Sequence, residues 1–138
     1  MQKELQFLEE QEVSPVLIGQ VEAFRKEYPV HEAVRNRISE PKIPFYGKEI
    51  LEMAMAALLQ GSNLLLTGGK ATGKNILAEN RAWMFGRPSY NISFNVNTDS
   101  SSLIGTDTFR NNEVQLRKGS VYRCAEEGGF GVFDEINM

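Results

Sequence analysis

The chain has 138 residues, 41% hydrophobic and 24% charged, the makeup of one globular domain with room for a single core. A formal net charge of −3 counts weakly against a protein that coats nucleic acid, and the lone cysteine, Cys124, excludes an intrachain disulfide and a thiolate zinc cluster. No apolar run approaches the roughly 18 residues of a bilayer span and no secretory apolar stretch follows Met1, so the expectation is a cytoplasmic protein away from membranes, with Cys124 an inert buried hydrophobe.

In the first segment Leu5 and Leu8, then Leu17, Val21 and Phe24, fall at helical spacing, with Ser14 suited to an N-cap and Pro15 to the first helical position. It reads as a helical packing element. From Val30 to Phe45 the pattern breaks; Pro41 and Pro44 favour extended backbone before them, which makes this a surface connector. A helix resumes at Gly47 or Lys48 with Ile50, Met53, Ala54, Ala57 and Leu58 on its core face, and Gly61 stands where a left-handed cap would end it. Residues 63–67 are an apolar run between turn formers, the pattern of a strand buried on both faces of a parallel sheet.

A further helix is expected over 74–85, closed by Gly86 and then Pro88, and residues 90–96 alternate Ile92, Phe94 and Val96 inward as a strand. Strand, turn, helix and strand make a βαβ unit, hence the α/β class. The Asn111-Asn112 pair suits a hairpin turn, because Asn tolerates positive φ. A helix over 120–127 should end at Gly128-Gly129, and a buried strand over 130–133 then delivers Asp134 and Glu135 to its carboxyl end, where open α/β sheets place ligands.

The chemistry concentrates at two places. Gly68-Gly69-Lys70-Ala71-Thr72-Gly73-Lys74-Asn75 matches G-x-x-x-x-G-K-[ST] at every position but the last, between an expected strand and an expected helix. Such a loop turns successive backbone N–H groups into one concavity for phosphate oxygens, and its glycines allow dihedrals and close approach that side chains would block. The helix that follows adds the positive end of its dipole, and Lys74 would reach the β- and γ-phosphates as a point charge. Lys70 sits within the loop but reads as solvated. Asn75 replaces the hydroxyl that ordinarily binds Mg²⁺; its amide oxygen could still serve, directly or through water, so nucleotide binding is the safer expectation and turnover the lesser one.

The second place is Asp134-Glu135. Adjacent residues at a strand end point in different directions, so one carboxylate can face a metal while the other polarises a water.

With PFYGKEI, LLLTGGKATGKN and GVFDEIN in view, the chain from about Ile43 onward resembles the AAA+ ATPases. SSLIGTDTFR, LRKGSVYRCAEEGG and DEIN look like the MoxR branch and the related ATPase subunit of cobalt chelatase, within the dynein-related type. The resemblance implies a P-loop three-layer αβα sandwich with a mostly parallel sheet, an incomplete AAA+ core at 43–138 preceded by a helical segment and connector at 1–42. Gly68, Gly69, Lys70, Ala71, Thr72, Gly73, Lys74 and Asn75 would then be Walker A, Asp134 the Mg²⁺-associated acid and Glu135 the base that activates water. Phe45, Tyr46 and Gly47 would lie near the adenine, and Arg110 to Glu113 near a hairpin insert.

It further implies ATP and Mg²⁺ as ligands, a homo-oligomeric, commonly hexameric ring, and work on a protein substrate or adaptor, chaperone-like remodelling or metal or cofactor insertion. The alternatives are a regulatory or assembly module that binds nucleotide with little hydrolysis, for which Asn75 is the motive, a DNA-directed AAA+ motor, and, disfavoured, a small-molecule kinase. The family continues into a sensor strand, an arginine finger and a helical lid, so the sequence reads as a fragment ending just after Walker B, with slow hydrolysis expected of it alone.

Overall fold

The computed structural model describes residues 2–137, and the chain forms two compact units, Met1–Arg87 and Pro88–Met138. Among the described residues no helix is long and apolar enough to cross a membrane.

In the first unit, helices α1 (Lys3–Glu10), α2 (Pro15–Glu27), α3 (Lys48–Leu59) and α4 (Lys74–Met84) pack around Leu8, Val21, Leu51, Met55, Met84 and Phe85, all nearly or wholly buried. Each large apolar side chain withdrawn from water in this way contributes about 1.5–3 kcal/mol before entropy is counted. Pro15 takes the first helical position of α2 as expected, but Ser14 caps with no side-chain bond; its N–H instead donates to Glu52 Oε1 at 2.8 Å, tying α2 to α3. A 3-10 helix at Glu32–Arg37 buries Val34 within the connector.

Gly61 and Gly86 close α3 and α4 at positive φ, with the paired bonds Gly61 N–H to Leu58 O and Ser62 N–H to Ala57 O, and Gly86 N–H to Trp83 O and Arg87 N–H to Ala82 O. The N-terminal helices also grip the end of α4. Arg25 Nη1 donates to Met84 O at 3.0 Å, a cation on a carbonyl at the negative pole of the helix, and Arg87 lies over the Phe24 ring and donates to Tyr28 O. Burial lowers the pKa of Arg81 and Arg87 below the ordinary arginine value.

Two expectations fail here. The buried face of α3 is Leu51, Ala54 and Met55, whereas Ile50 and Met53 are exposed. The helix is apolar on nearly all sides, so its own pattern leaves the choice to what packs against it. Residues 63–67 form no strand: among the described residues nothing pairs with them, and Leu65 is 78% exposed.

The second unit runs β1 (Ser89–Ser93), a short α5 (Ser100–Leu103), β2 (Gly105–Arg110), β3 (Glu113–Lys118), α6 (Ser120–Glu126) and β4 (Phe130–Asp134). β1 and β4 pair in parallel, Ser89 opposite Phe130 through Ser93 opposite Asp134, the arrangement that requires a crossover between them. β2 and β3 form the expected hairpin, with Asn111 and Asn112 at φ 51 and 62, both positive as a type I′ turn demands. Gly129 allows the chain into β4 past Tyr90, whose ring carbon would stand 2.4 Å from a Cβ there.

Tyr90, Ile92 and Cys124 form the buried side, and burial raises the Cys124 thiol pKa. β4 is only half-buried, with Phe133 45% exposed against Phe94. The inward alternation expected to reach Val96 stops at Phe94: Val96 is 85% exposed, because Asn95 Oδ1 and Thr98 Oγ1 accept backbone bonds and curl 95–98 into a turn. Helices with a parallel strand pair place the chain in the α/β class, with an N-terminal helical segment.

Candidate functional site

The phosphate-loop residues lie together at the start of α4 in the first unit. Gly68 and Gly73 have φ of 154 and 85, and Ala71 has φ 57. Positive φ at 71 and 73 about Thr72 is the alternation that turns neighbouring N–H groups to one side as an anion nest. The backbone N–H groups of Gly69, Lys70, Ala71, Thr72 and Gly73 have no protein acceptor among the described residues. These donors stand immediately before the N-terminus of an 11-residue helix, whose own dipole favours an anion.

The loop's carbonyls, by contrast, are engaged. Lys74 Nζ donates to Gly68 O at 2.9 Å, Gly69 O at 2.7 Å and Thr72 Oγ1 at 3.4 Å, and Thr72 Oγ1 donates to Gly69 O at 2.9 Å. Lys74 is half-buried, whereas Lys70 and Asn75 are exposed, Asn75 in the first turn of α4. Lys70 thus has the solvated environment its place in the loop implied.

Tyr46 and Gly47 precede α3, with Gly47 at its N-cap and Tyr46 71% exposed beside the Phe7 ring, centroids 6.2 Å apart. Phe7 in turn packs on Trp83 of α4 at 6.1 Å. The Phe45 ring lies where a Cβ on Gly47 would come within 2.9 Å of it and a Cβ on Gly73 within 3.7 Å, so this segment and the last glycine of the phosphate loop share one aromatic neighbour.

Asn80 is what sequence reasoning missed. It is wholly buried, its Oδ1 accepting from Phe45 N–H at 3.1 Å and its Nδ2 donating to Ile43 O at 2.9 Å and Ile76 O at 2.8 Å. The signal for it was a carboxamide three residues after Leu77 and three before Trp83, in a stripe otherwise apolar, where a polar group must find partners.

Asp134 and Glu135 belong to the second unit, at the carboxyl end of β4. Both are exposed; Asp134 Oδ1 accepts from Glu135 N–H at 3.0 Å, and Glu135 has φ 57. Phe94 N–H donates to Asp134 O, extending the parallel ladder to the acid itself. Among the described residues no group of three or more His, Cys, Asp or Glu could hold a metal. Taken singly, the exposed carboxylate of Asp134 and the exposed amide of Asn75 are hard oxygen donors of the kind Mg²⁺ accepts while keeping most of its water.

An amide-lined loop closed by a lysine, entering a helix in an α/β fold, defines the P-loop nucleotide-binding class. Residues 63–138 match the AAA domain (dynein-related subfamily), and the chain belongs to that family. It is similar to the uncharacterized protein YojN of Bacillus subtilis, 32% identical over 117 residues, 82% of this chain and 38% of that protein. Uncharacterized proteins of Staphylococcus saprophyticus and Staphylococcus epidermidis are 33% and 32% identical over 90 and 94 residues, covering 62% and 64% of this chain and 34% and 36% of theirs. The chain therefore spans little more than a third of the length of these relatives.

Proposed function

We propose that the chain carries the ATP-binding half of a ring-forming, cytoplasmic AAA+ ATPase of the MoxR and cobalt-chelatase kind, whose hydrolysis remodels a partner protein or assists metal or cofactor insertion. The observation that carries the reading is the loop of unpartnered N–H groups at Gly69 to Gly73 closed by the Lys74 ammonium. In this reading 43–138 is the ATPase domain and 1–42 its helical accessory.

The loop amides hold the β- and γ-phosphate oxygens, and Lys74 exchanges its loop carbonyls for the same oxygens, lowering the cost of gathering their charge. Tyr46 and Gly47 flank the base. By their place in the sequence motifs, Glu135 would be the base for an attacking water, and Asp134 and Asn75 would be the residues offering oxygens to Mg²⁺, whose charge would offset that of the phosphates. The assignments of Asp134 and Glu135 are supported by their sequence and by the strand end that presents them. A second reading, a regulatory module that binds nucleotide and turns it over little, is favoured by one residue: Asn75 offers an exposed amide where a hydroxyl is usual.

Calorimetry with ATP tests the common core of both. Lys74→Ala should weaken binding about a hundredfold, the scale of removing a charge-assisted hydrogen bond from an anion site, and Lys70→Ala about twofold at most. Equal losses in the two variants would overturn the assignment. Phosphate release by the longer protein, compared with its Glu135→Gln variant, separates the two readings.

A further inference from the structure

Asn80 has the hydrogen-bond pattern of a missing strand. Its carboxamide accepts from Phe45 N–H and donates to Ile43 O, the two groups that flank Pro44, as the N–H and C=O of one residue in a neighbouring parallel strand would. The third bond, to Ile76 O, anchors the same carboxamide to α4 one turn earlier. With no exposure, the side chain has no water to fall back on. The backbone of 43–45 is thus fixed to the helix that starts in the phosphate loop.

From that anchor the coupling continues through one ring. Phe45 fills the space beside both Gly47 and Gly73, so the segment that carries Tyr46 and the turn that carries the loop amides are spaced by the same side chain. Moving Asn80 shifts Tyr46 and Gly47 relative to the phosphate loop, and Asn80 itself bonds to no loop residue. We infer that Asn80 is a positioning residue for the base-side wall of the nucleotide site, acting through Phe45. Its effect is on recognition of the nucleoside and not on recognition of the phosphates. This rests on the ATP-binding reading above.

The test is calorimetry on the 138-residue chain with two probes, ATP and inorganic tripolyphosphate, and three variants: Asn80→Ala, Phe45→Ala and Lys74→Ala. Asn80→Ala should weaken ATP about tenfold, the scale of removing hydrogen bonds at buried groups, and leave tripolyphosphate within about twofold. Phe45→Ala should do the same, and it decides the matter if Asn80→Ala fails to fold by circular dichroism. Lys74→Ala should weaken both probes together. The inference falls if the Asn80 and Phe45 variants change both probes by one factor or change neither. It also falls if the unaltered chain binds the two probes equally, an outcome that leaves the phosphate-loop reading standing; a chain that binds neither sinks both.

Discussion

Residues 63–67 and β4 are both short apolar runs that lead directly into chemistry, one into the phosphate loop and the other into Asp134 and Glu135. Their structures differ. β4 is hydrogen-bonded along its length to β1, and the ladder runs on to Phe94 N–H on Asp134 O. Residues 63–67 have no ladder, and Leu65 stands 78% exposed. Yet the phosphate loop that follows them is closed by four side-chain bonds from Lys74 and Thr72. The acid is held in place by its strand, whereas the loop is held by itself and by the helix it opens.

Ile92→Ala should sharpen the contrast most. Ile92 is 5% exposed in β1, and emptying its site should cost about 2–5 kcal/mol in urea unfolding, against no more than about 0.5 kcal/mol for Leu65→Ala. A Leu65 loss as large as that of Ile92 would show that 63–67 is packed in solution. Amide hydrogen exchange follows: the N–H groups of the β1–β4 ladder should exchange about a hundredfold slower than those of 64–66. Comparable protection in both would break the comparison.

Thr72→Val probes the self-supporting loop. Removing the hydroxyl that bonds Gly69 O should weaken ATP binding several-fold, corresponding to about 1 kcal/mol, with the unfolding midpoint nearly unchanged. The smallest effect is expected at the hairpin, where Asn112→Gly keeps the positive φ and should change stability by only a few tenths of a kcal/mol, whereas Asn112→Val should lower it measurably in the same titration.

The parts legible in the sequence were those decided within a few residues: Pro15 opening α2, Gly61 and Gly86 closing α3 and α4, the Asn111-Asn112 turn, and the glycine-lysine loop itself. What was illegible depended on distant partners. Ile50 and Met53 read as core as readily as Leu51 and Met55, because a helix apolar on most sides acquires a buried face only from its neighbours. Residues 63–67 read as a strand, but a strand exists only with a partner to bond. Asn80 gave one faint sign, a carboxamide on an apolar stripe, and the peptide groups it satisfies lie 35 and 37 residues earlier.

The resting grip of Lys74 on Gly68 O and Gly69 O sets a threshold for the ligand. An anion must repay those bonds before it gains anything from the ammonium, and a single weakly charged group repays little of what it displaces. A polyphosphate, touching several amides and the lysine at once, clears that barrier, so the loop should ignore small singly charged anions and answer to a chain of phosphates.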